Sequence, residues 1–238
     1  MKIALIGYGK MGKAIEEIAL QRGHEIVLKI DIDNPRDFTK EKLSNADVAI
    51  EFTGPHSAFD NLKKLMQYGT RTVCGSTGWL EKYGEIEKDC NTNQSGFIYA
   101  SNFSVGVNIF FEVNKRLAKL MASHPDYDVQ LTEVHHTAKK DAPSGTAITL
   151  AEQVLETIDR KKNWVNHISD NPGELEILSE RIDPAAGTHK VKYSSAIDDI
   201  EIIHTAHTRK GFALGAVLAA EFLKDKKGIF TMNEVLGL

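Results

Sequence analysis

The stretch from Glu133 to Ala147 reads EVHHTAKKDAPSGTA and sets two adjacent histidines, two lysines and a Pro-Ser-Gly-Thr turn close together. It follows a β-rich run, Tyr127 to Val134. Histidine can give up a proton near neutral pH. Lysine adds a fixed positive charge and a second donor. The PSGT segment reads as a helix start, because Ser144 suits an N-cap and residues Thr146 to Leu155 are mostly helix formers. Such a terminus presents the N–H groups of Gly145 and Thr146 to an anion. Any one of these residues alone reads better as an ordinary surface or capping side chain. Together they describe a pocket for a small anionic substrate with a proton donor beside it. A metal centre is not expected: His135 and His136 point to opposite sides if the strand runs through them, and neither Cys74 nor Cys90 is near in sequence.

These groups must be held by a scaffold, and the N-terminal half announces one. Lys2 to Ile6 is a short apolar run that fits a buried parallel strand. GYGKMG follows, placing Gly7, Gly9 and Gly12 in G-x-G-x-x-G spacing with Lys10 and Met11 in the same turn. Met11 to Gln21 then has helical periodicity, and Glu25 to Ile30 is a second apolar strand ending at Asp31, nineteen residues after Gly12. A carboxylate there suits a ribose hydroxyl, and the glycines let backbone approach a pyrophosphate at a helix N-terminus. Strand, glycines, helix, strand and acid in this order predict a dinucleotide site rather than a merely tight turn.

The alternation continues through strands at Asp47–Phe52, Arg71–Cys74 and Gly96–Ala100, with helices at Ala58–Tyr68 and Leu80 to about Asp89 between them. This predicts an α/β fold with a Rossmann-type doubly wound parallel sheet. Ligands bind such sheets at the carboxyl ends of the strands. Asp31, Thr53-Gly54, Gly75-Ser76-Thr77 and Ala100-Ser101-Asn102-Phe103 are therefore the expected cofactor loops, although turn chemistry alone would also account for Thr53 and Ser76. After Phe103 the pattern changes. A helix at Ile109–Met121 and one at Thr146–Arg160 accompany strands at 128–134, 174–181, 189–194 and 201–207, whose Thr, Ser, Glu and His content suggests a mixed sheet with a solvated or interface face. The apolar helix Gly211–Leu223 suits a return to the first sheet. The expected division is residues 1–105 with 210–238 as a dinucleotide-binding domain, and 106–209 as a second, α+β domain for substrate binding and oligomerisation.

Composition narrows the class. At 238 residues the chain can bury a substantial core, and a net charge of −4 without a long basic block gives no nucleic-acid partner. Two cysteines are no disulfide framework, the opening apolar run is too short for a signal peptide, and none reaches membrane-spanning length, so a cytoplasmic location fits.

The chain resembles the 4-hydroxy-tetrahydrodipicolinate reductase family, long called dihydrodipicolinate reductase, over nearly its whole length. HHTAKKDAPSGTA is close to that family's signature. GYGKMG resembles its glycine motif, GSTG its mid-sheet loop and ASNFSVGVN its crossover segment. The spacings of Arg181 with Gly187-Thr188-His189, and of Thr208-Arg209-Lys210-Gly211-Phe212, are similar as well. The resemblance implies an NADH- or NADPH-dependent reductase of a cyclic unsaturated dicarboxylate, serving diaminopimelate and lysine synthesis as a homotetramer. It implies His135 as proton donor, Lys139 as its catalytic partner, and His136, Gly145 and Thr146 as substrate-binding positions. Departures fall in the cofactor loops: Lys10 where the family usually has Arg, Glu51-Phe52-Thr53 in place of DFT or DFS, and Gly54 where some relatives carry a basic residue. They bear on cofactor choice. Asp31 and Asp33 favour NADH, Lys10 and Arg36 favour NADPH, and the close carboxylate should prevail. The rival readings are another two-domain NAD(P)-dependent dehydrogenase of small anionic substrates, in which the HHxxKxDAPSGT run is not expected, and a dinucleotide-sensing regulator, which would carry an added partner-binding segment.

Overall fold

The computed structural model describes residues 1–208 and 210–238. The chain forms two compact units, Met1–Val105 with Lys210–Leu238, and Gly106–Arg209.

In the first unit, β1 (Lys2–Ile6), α1 (Lys10–Gln21), β2 (Glu25–Ile30), α2 (Lys40–Leu43), β3 (Val48–Glu51), α3 (Ala58–Gln67), β4 (Thr72–Cys74), α4 (Tyr83–Thr92) and β5 (Gly96–Tyr99) follow in order. After the second unit's segment the chain adds α7 (Lys210–Leu223), β11 (Gly228–Phe230) and α8 (Met232–Leu236). The strands form one sheet in the order β11-β5-β4-β3-β1-β2, and every pairing is parallel. Parallel strands are covered on both faces, which is why β1 and β3 are apolar nearly throughout and almost wholly buried. One face packs on α1 and α7 through Ile15, Ala19, Ala213, Ala216, Val217 and Ala220, and the other on α3 and α4 through Leu62, Leu65, Met66 and Ile86. The small residues of α7 let its backbone lie close to the sheet. The chain leaves β1 for β2 on one side and later places β3 on the other, so the switch point lies between β1 and β3, with the glycine turn at its carboxyl end.

The second unit contains α5 (Val105–Met121), β6 (Asp128–His135), α6 (Gly145–Leu155), β7 (Asn163–Val165), β8 (Glu174–Arg181), β9 (Gly187–Ser194) and β10 (Asp199–Ala206). Its sheet runs β10-β9-β6-β8-β7 and is mixed: β6 pairs parallel with β8 and antiparallel with β9. The buried residues of β6 alternate as Val129, Leu131, Glu133 and His135, so one pleat face begins apolar and ends polar. Val129 and Leu131 pack against Phe110, Ala118, Leu150 and Val154 of α5 and α6. Buried Asn114 joins those helices, donating to the Leu150 carbonyl at 3.1 Å and to Gln153 Oε1 at 2.9 Å. A two-helix layer therefore packs on the apolar end of β6.

Several boundaries differ from the sequence expectation. The helix expected from Ile109 starts at Val105, because burial of Val107 and Phe110 outweighs the poor propensity of Gly106 and its β-branched neighbours. The helix expected to reach Arg160 stops at Leu155, just before β-branched Thr157 and Ile158, where Ile158 N–H and Thr157 Oγ1 turn back on the Val154 and Gln153 carbonyls. A short 3-10 turn, Leu80–Lys82, precedes α4. Strands β7 and β11, at three residues each, and helices α2 and α8 carried no periodic signal.

Candidate functional site

Two sites stand on this frame, one in each unit. In the second unit, His135 is the last residue of β6 and only 9 % exposed. Its Nδ1 lies against Oε2 of Glu133, two residues earlier on the same face. Glu133 is fully buried, and its Oε1 accepts from Arg181 Nη2 at 2.9 Å. Burial pushes the Glu133 carboxyl up, but hydrogen bonds from His135, Ser179 and Arg181 pull it further the other way and hold it well below the usual carboxylate range. Opposite Glu133 in the antiparallel pairing stands His189, 6 % exposed, with its ring centroid 5.1 Å from that of His135. Burial first, and the neighbouring His135 second, push His189 down to about 4, so it is neutral at working pH.

The chain then turns, with Lys139 N–H donating to the His136 carbonyl at 3.1 Å, and runs to α6. Lys139 Nζ is held by Asp141 at 2.7 and 2.9 Å, and that contact keeps the Asp141 carboxyl below its usual range. Ser144 caps α6: its Oγ accepts from Ala147 N–H at 3.2 Å and lies 3.0 Å from Nε2 of His189. Gly145 is exposed at the helix N-terminus, and no atom stands within 4 Å of where a Cβ would be. The first turn of α6 has no acidic residue, so the positive end of its dipole is uncompensated there. A buried imidazole, a lysine and a helix N-terminus on consecutive segments can protonate a substrate and bind its carboxylate.

Glu133, His135 and His189 also place one potential ligand atom each within 4.8 Å of one another. Arg181 already neutralises the Glu133 carboxylate and His135 Nδ1 already faces it, which argues for an imidazole support rather than a metal centre. Sequence reasoning gave Glu133, Arg181 and His189 no role. The Glu-x-His spacing on a strand was the available signal for Glu133; the other two depend on strand register.

In the first unit, the residues expected to hold a dinucleotide gather at the carboxyl ends of β1 to β5. Gly7 has φ +93°, and a Cβ there would stand 2.2 Å from the Phe52 carbonyl, while one on Gly12 would stand 2.3 Å from the Gly7 carbonyl. Only glycine permits this approach of β1, β3 and α1. A Cβ on Gly9 would meet nothing within 4 Å, so the space at the α1 N-terminus is open, and no side chain caps that helix. Lys10 and Met11 begin α1. A cleft of about 460 Å³ runs from Gly7 and Gly9 past Asp31, Phe52, Thr53 and His56. Among the described residues lining it, Asp31 is the one with a formal charge at neutral pH. Asn34 shapes that corner, accepting from Asp31 N–H at 2.8 Å and donating to the Lys29 carbonyl at 2.8 Å, while Asp31 Oδ1 accepts from Ile32 N–H. The open glycine turn and the carboxylate fit a pyrophosphate and a ribose.

Buried Glu51 binds the next loops together. It accepts from Thr53 N–H at 3.2 Å and from the Thr53 hydroxyl, and Cys74 Sγ lies 3.2 Å from it; Thr53 N–H also reaches Ser76 Oγ at 2.8 Å. Gly75 lies beneath the Phe52 ring and Thr77 is exposed. Ala100 and Ser101 follow β5, Asn102 Oδ1 accepts from Ser104 N–H at 2.9 Å, and Phe103 is buried against Phe52. Arg209, in the segment similar to the family's, lies outside the described residues.

A glycine-turned parallel sheet and a second, mixed-sheet unit with a histidine–lysine–helix site define a two-unit oxidoreductase of the dinucleotide-binding class. Within that class the chain belongs to the dihydrodipicolinate reductase family: residues 1–103 match the model "Dihydrodipicolinate reductase, N-terminus" and residues 106–236 match "Dihydrodipicolinate reductase, C-terminus". The 4-hydroxy-tetrahydrodipicolinate reductase of Christiangramia forsetii is 50% identical over 99% of this chain and 98% of its own length. That of Methanosarcina mazei is 36% identical over 99% and 89%. Among solved structures, the dipicolinate-bound dihydrodipicolinate reductase of Paenisporosarcina sp. TG-14 shares the fold at a TM-score of 0.78, 24% identical over 98% of each chain. An amine dehydrogenase from Mycobacterium smegmatis shares it at 0.66, 11% identical over 98% and 95%.

Proposed function

We propose that this chain is an NAD(P)H-dependent 4-hydroxy-tetrahydrodipicolinate reductase, forming tetrahydrodipicolinate for diaminopimelate and lysine synthesis. The observation that carries the reading is the buried His135, backed by Glu133, at the head of the loop that delivers Lys139 and the α6 N-terminus. A family relative named for this activity, 50% identical end to end, supports it.

Reduced nicotinamide, when bound, supplies a hydride to the substrate's conjugated imine. The residues of this chain do the rest. The first unit is the dinucleotide-binding domain: Gly7, Gly9, Lys10, Met11 and Gly12 with the α1 N-terminus hold the pyrophosphate, and Asp31 holds the adenosine ribose. The loops at Thr53, Gly75-Ser76-Thr77 and Ala100-Ser101-Asn102-Phe103 line the remainder. The second unit is the substrate domain. Gly145, Thr146, His136 and Lys139 take the substrate's carboxylates, and His135 protonates the electron-rich carbon left by reduction. NADH serves at least as well as NADPH, since Asp31 stands in a cleft without lysine or arginine among its described lining residues.

The protein acts in the cytoplasm as a homotetramer built on the second unit's sheet. Edge strand β10 supports this, because it leaves Ile203 57 % exposed on a broad open face. No helix among the described residues is long and apolar enough to cross a membrane. The test is direct: generate the condensation product of pyruvate and aspartate semialdehyde in situ and follow oxidation of each cofactor. Absence of turnover with both would overturn the reading.

A further inference from the structure

Glu133 occupies a position where the packing of β6 would accept an apolar residue. Val129 and Leu131 precede it on the same buried face, and its own exposure is 0 %. A buried carboxylate is costly unless fully paired, and exchanging such a pair for apolar side chains is often neutral or stabilising. Its presence therefore needs an explanation beyond packing, and its contacts supply one.

One carboxylate oxygen lies against Nδ1 of His135 and the other accepts from Arg181 Nη2 at 2.9 Å. The parallel pairing sets Arg181 beside His135 and Ser179 beside Glu133, so the guanidinium leans back diagonally across the strand to reach Glu133. The same guanidinium donates to two carbonyls of the following loop: Nη2 to Asp141 at 2.6 Å and Nε to Lys139 at 3.3 Å. One planar group thus ties the carboxylate behind His135 to the backbone that carries Lys139. On the other side of the ring, Nε2 faces the backbone of Gly187, where a Cβ would stand only 3.1 Å away. The ring is held at Nδ1, and the missing side chain of Gly187 leaves room in front of Nε2.

We propose that Glu133 and Arg181 are positioning residues for proton transfer. Glu133 fixes the neutral His135 ring as the Nδ1–H tautomer, so that Nε2 is the atom that exchanges the proton. Arg181 locks Glu133 and sets the Lys139 loop against the same ring. In the step itself the Nε2–H bond of the imidazolium breaks, a C–H bond forms on the reduced substrate, and the electron pair remains on Nε2. The ring is then left neutral, with its Nδ1–H toward Glu133, and solvent restores the Nε2 proton. The proposal rests on the reading of His135 as proton donor.

The test combines ¹⁵N-histidine NMR of the full chain with steady-state kinetics, using His135→Gln to assign the His135 signals. At a pH where the ring is neutral, wild type should show it protonated on Nδ1 alone. Glu133→Gln should give a mixture of tautomers, since an amide can donate as well as accept. It should also lower kcat on the order of 10-fold or more, the scale of a disturbed acid–base step, with substrate KM changed less than about threefold. Arg181→Lys keeps the charge but loses the fork and should not restore wild-type kcat. A wild-type ring protonated on Nε2 would overturn the proposal without any variant. So would a Glu133→Gln enzyme with wild-type kcat and a pure Nδ1–H ring. If His135→Gln kept wild-type kcat, the reading of His135 as proton donor would fall while the reductase activity stood, a result distinguishable because the wild-type tautomer is read independently of turnover.

Discussion

Ser144 Oγ lies 3.0 Å from Nε2 of His189, so a buried histidine on β9 holds the residue that caps α6. The same oxygen accepts from Ala147 N–H. A strand of the sheet thereby fixes where the α6 N-terminus sits, close to the ring of His135 that His189 also touches.

Removing that cap should cost stability and anion binding together. Ser144→Ala should lower unfolding free energy by about 1 kcal/mol, the usual worth of an N-cap, and leave His189 without its partner. Inhibition by pyridine-2,6-dicarboxylate should weaken at the same time. Denaturant unfolding and an inhibition series on one preparation check both. Lower stability with unchanged inhibition would place the carboxylate site away from α6.

His189 makes stability depend on pH over a defined window. Its folded-state value is about 4 against 6.5 ordinarily. Between those values the unfolded chain binds a proton that the folded protein does not, so stability is full above about pH 6.5 and falls as pH drops toward 4. The gap corresponds to at most about 3 kcal/mol at 1.36 kcal/mol per pKa unit. His189→Gln should show a flatter decline across that window, measured as unfolding midpoints. Glu133, shifted down, acts only below its ordinary carboxylate range of about 4.5, so the two contributions separate.

His135 and Lys139 should divide their effects. His135→Gln should lower kcat by about 10²-fold or more, the scale of general acid catalysis, while cofactor affinity holds because the cleft lies within the first unit. Lys139→Ala should weaken the dicarboxylate inhibitor by about 1.5–3 kcal/mol, the cost of losing a charged hydrogen-bond partner. Titration of the inhibitor against each variant checks the division. Unchanged inhibition of Lys139→Ala would assign the anion to other groups.

The trio Glu133, His135 and His189 should work without a metal, because Arg181 already supplies the cation beside the carboxylate. Exhaustive dialysis against a chelator should leave kcat unchanged. Activity lost on dialysis and restored by Zn²⁺ would make these residues ligands instead.

The local parts of both sites were legible in the sequence. Gly7, Gly9 and Gly12 with Asp31 keep fixed spacings along one βαβ unit, and His135, Lys139 and Ser144 lie in one short run. What was hidden depended on register. Arg181 meets His135 only through the parallel β6–β8 pairing, and His189 meets Glu133 only through the antiparallel β6–β9 pairing. No periodicity in one strand reports its neighbour's alignment. Glu51 was hidden differently: its position was read as a departure from a family motif, whereas its buried carboxylate gathers Thr53 and Cys74. The start of α5 was missed because Val107 and Phe110 gain from burial what Gly106 loses in propensity.

Cofactor choice turns on Asp31 against the basic residues near it. Asp31 follows β2 and lines the cleft, with Oδ1 turned to Ile32 N–H and Asn34 bracing the loop, so the carboxylate is held in place. The ribose of NADH can donate to it, whereas the extra phosphate of NADPH would meet a like charge at close range. Lys10 begins α1 and Arg36 lies in the 3-10 turn Pro35–Asp37; both are exposed, and neither is among the described residues lining the cleft. Exposed, flexible cations are screened at physiological salt and contribute about 0–1 kcal/mol each, less than a fixed carboxylate–phosphate repulsion at contact. NADH should therefore be used at least as well as NADPH by kcat/KM. Asp31→Ser should shift the ratio toward NADPH, and raising salt should reduce any NADPH turnover more than NADH turnover. A wild-type enzyme that strongly prefers NADPH at physiological salt would show that Lys10 and Arg36 reach the phosphate and outweigh Asp31.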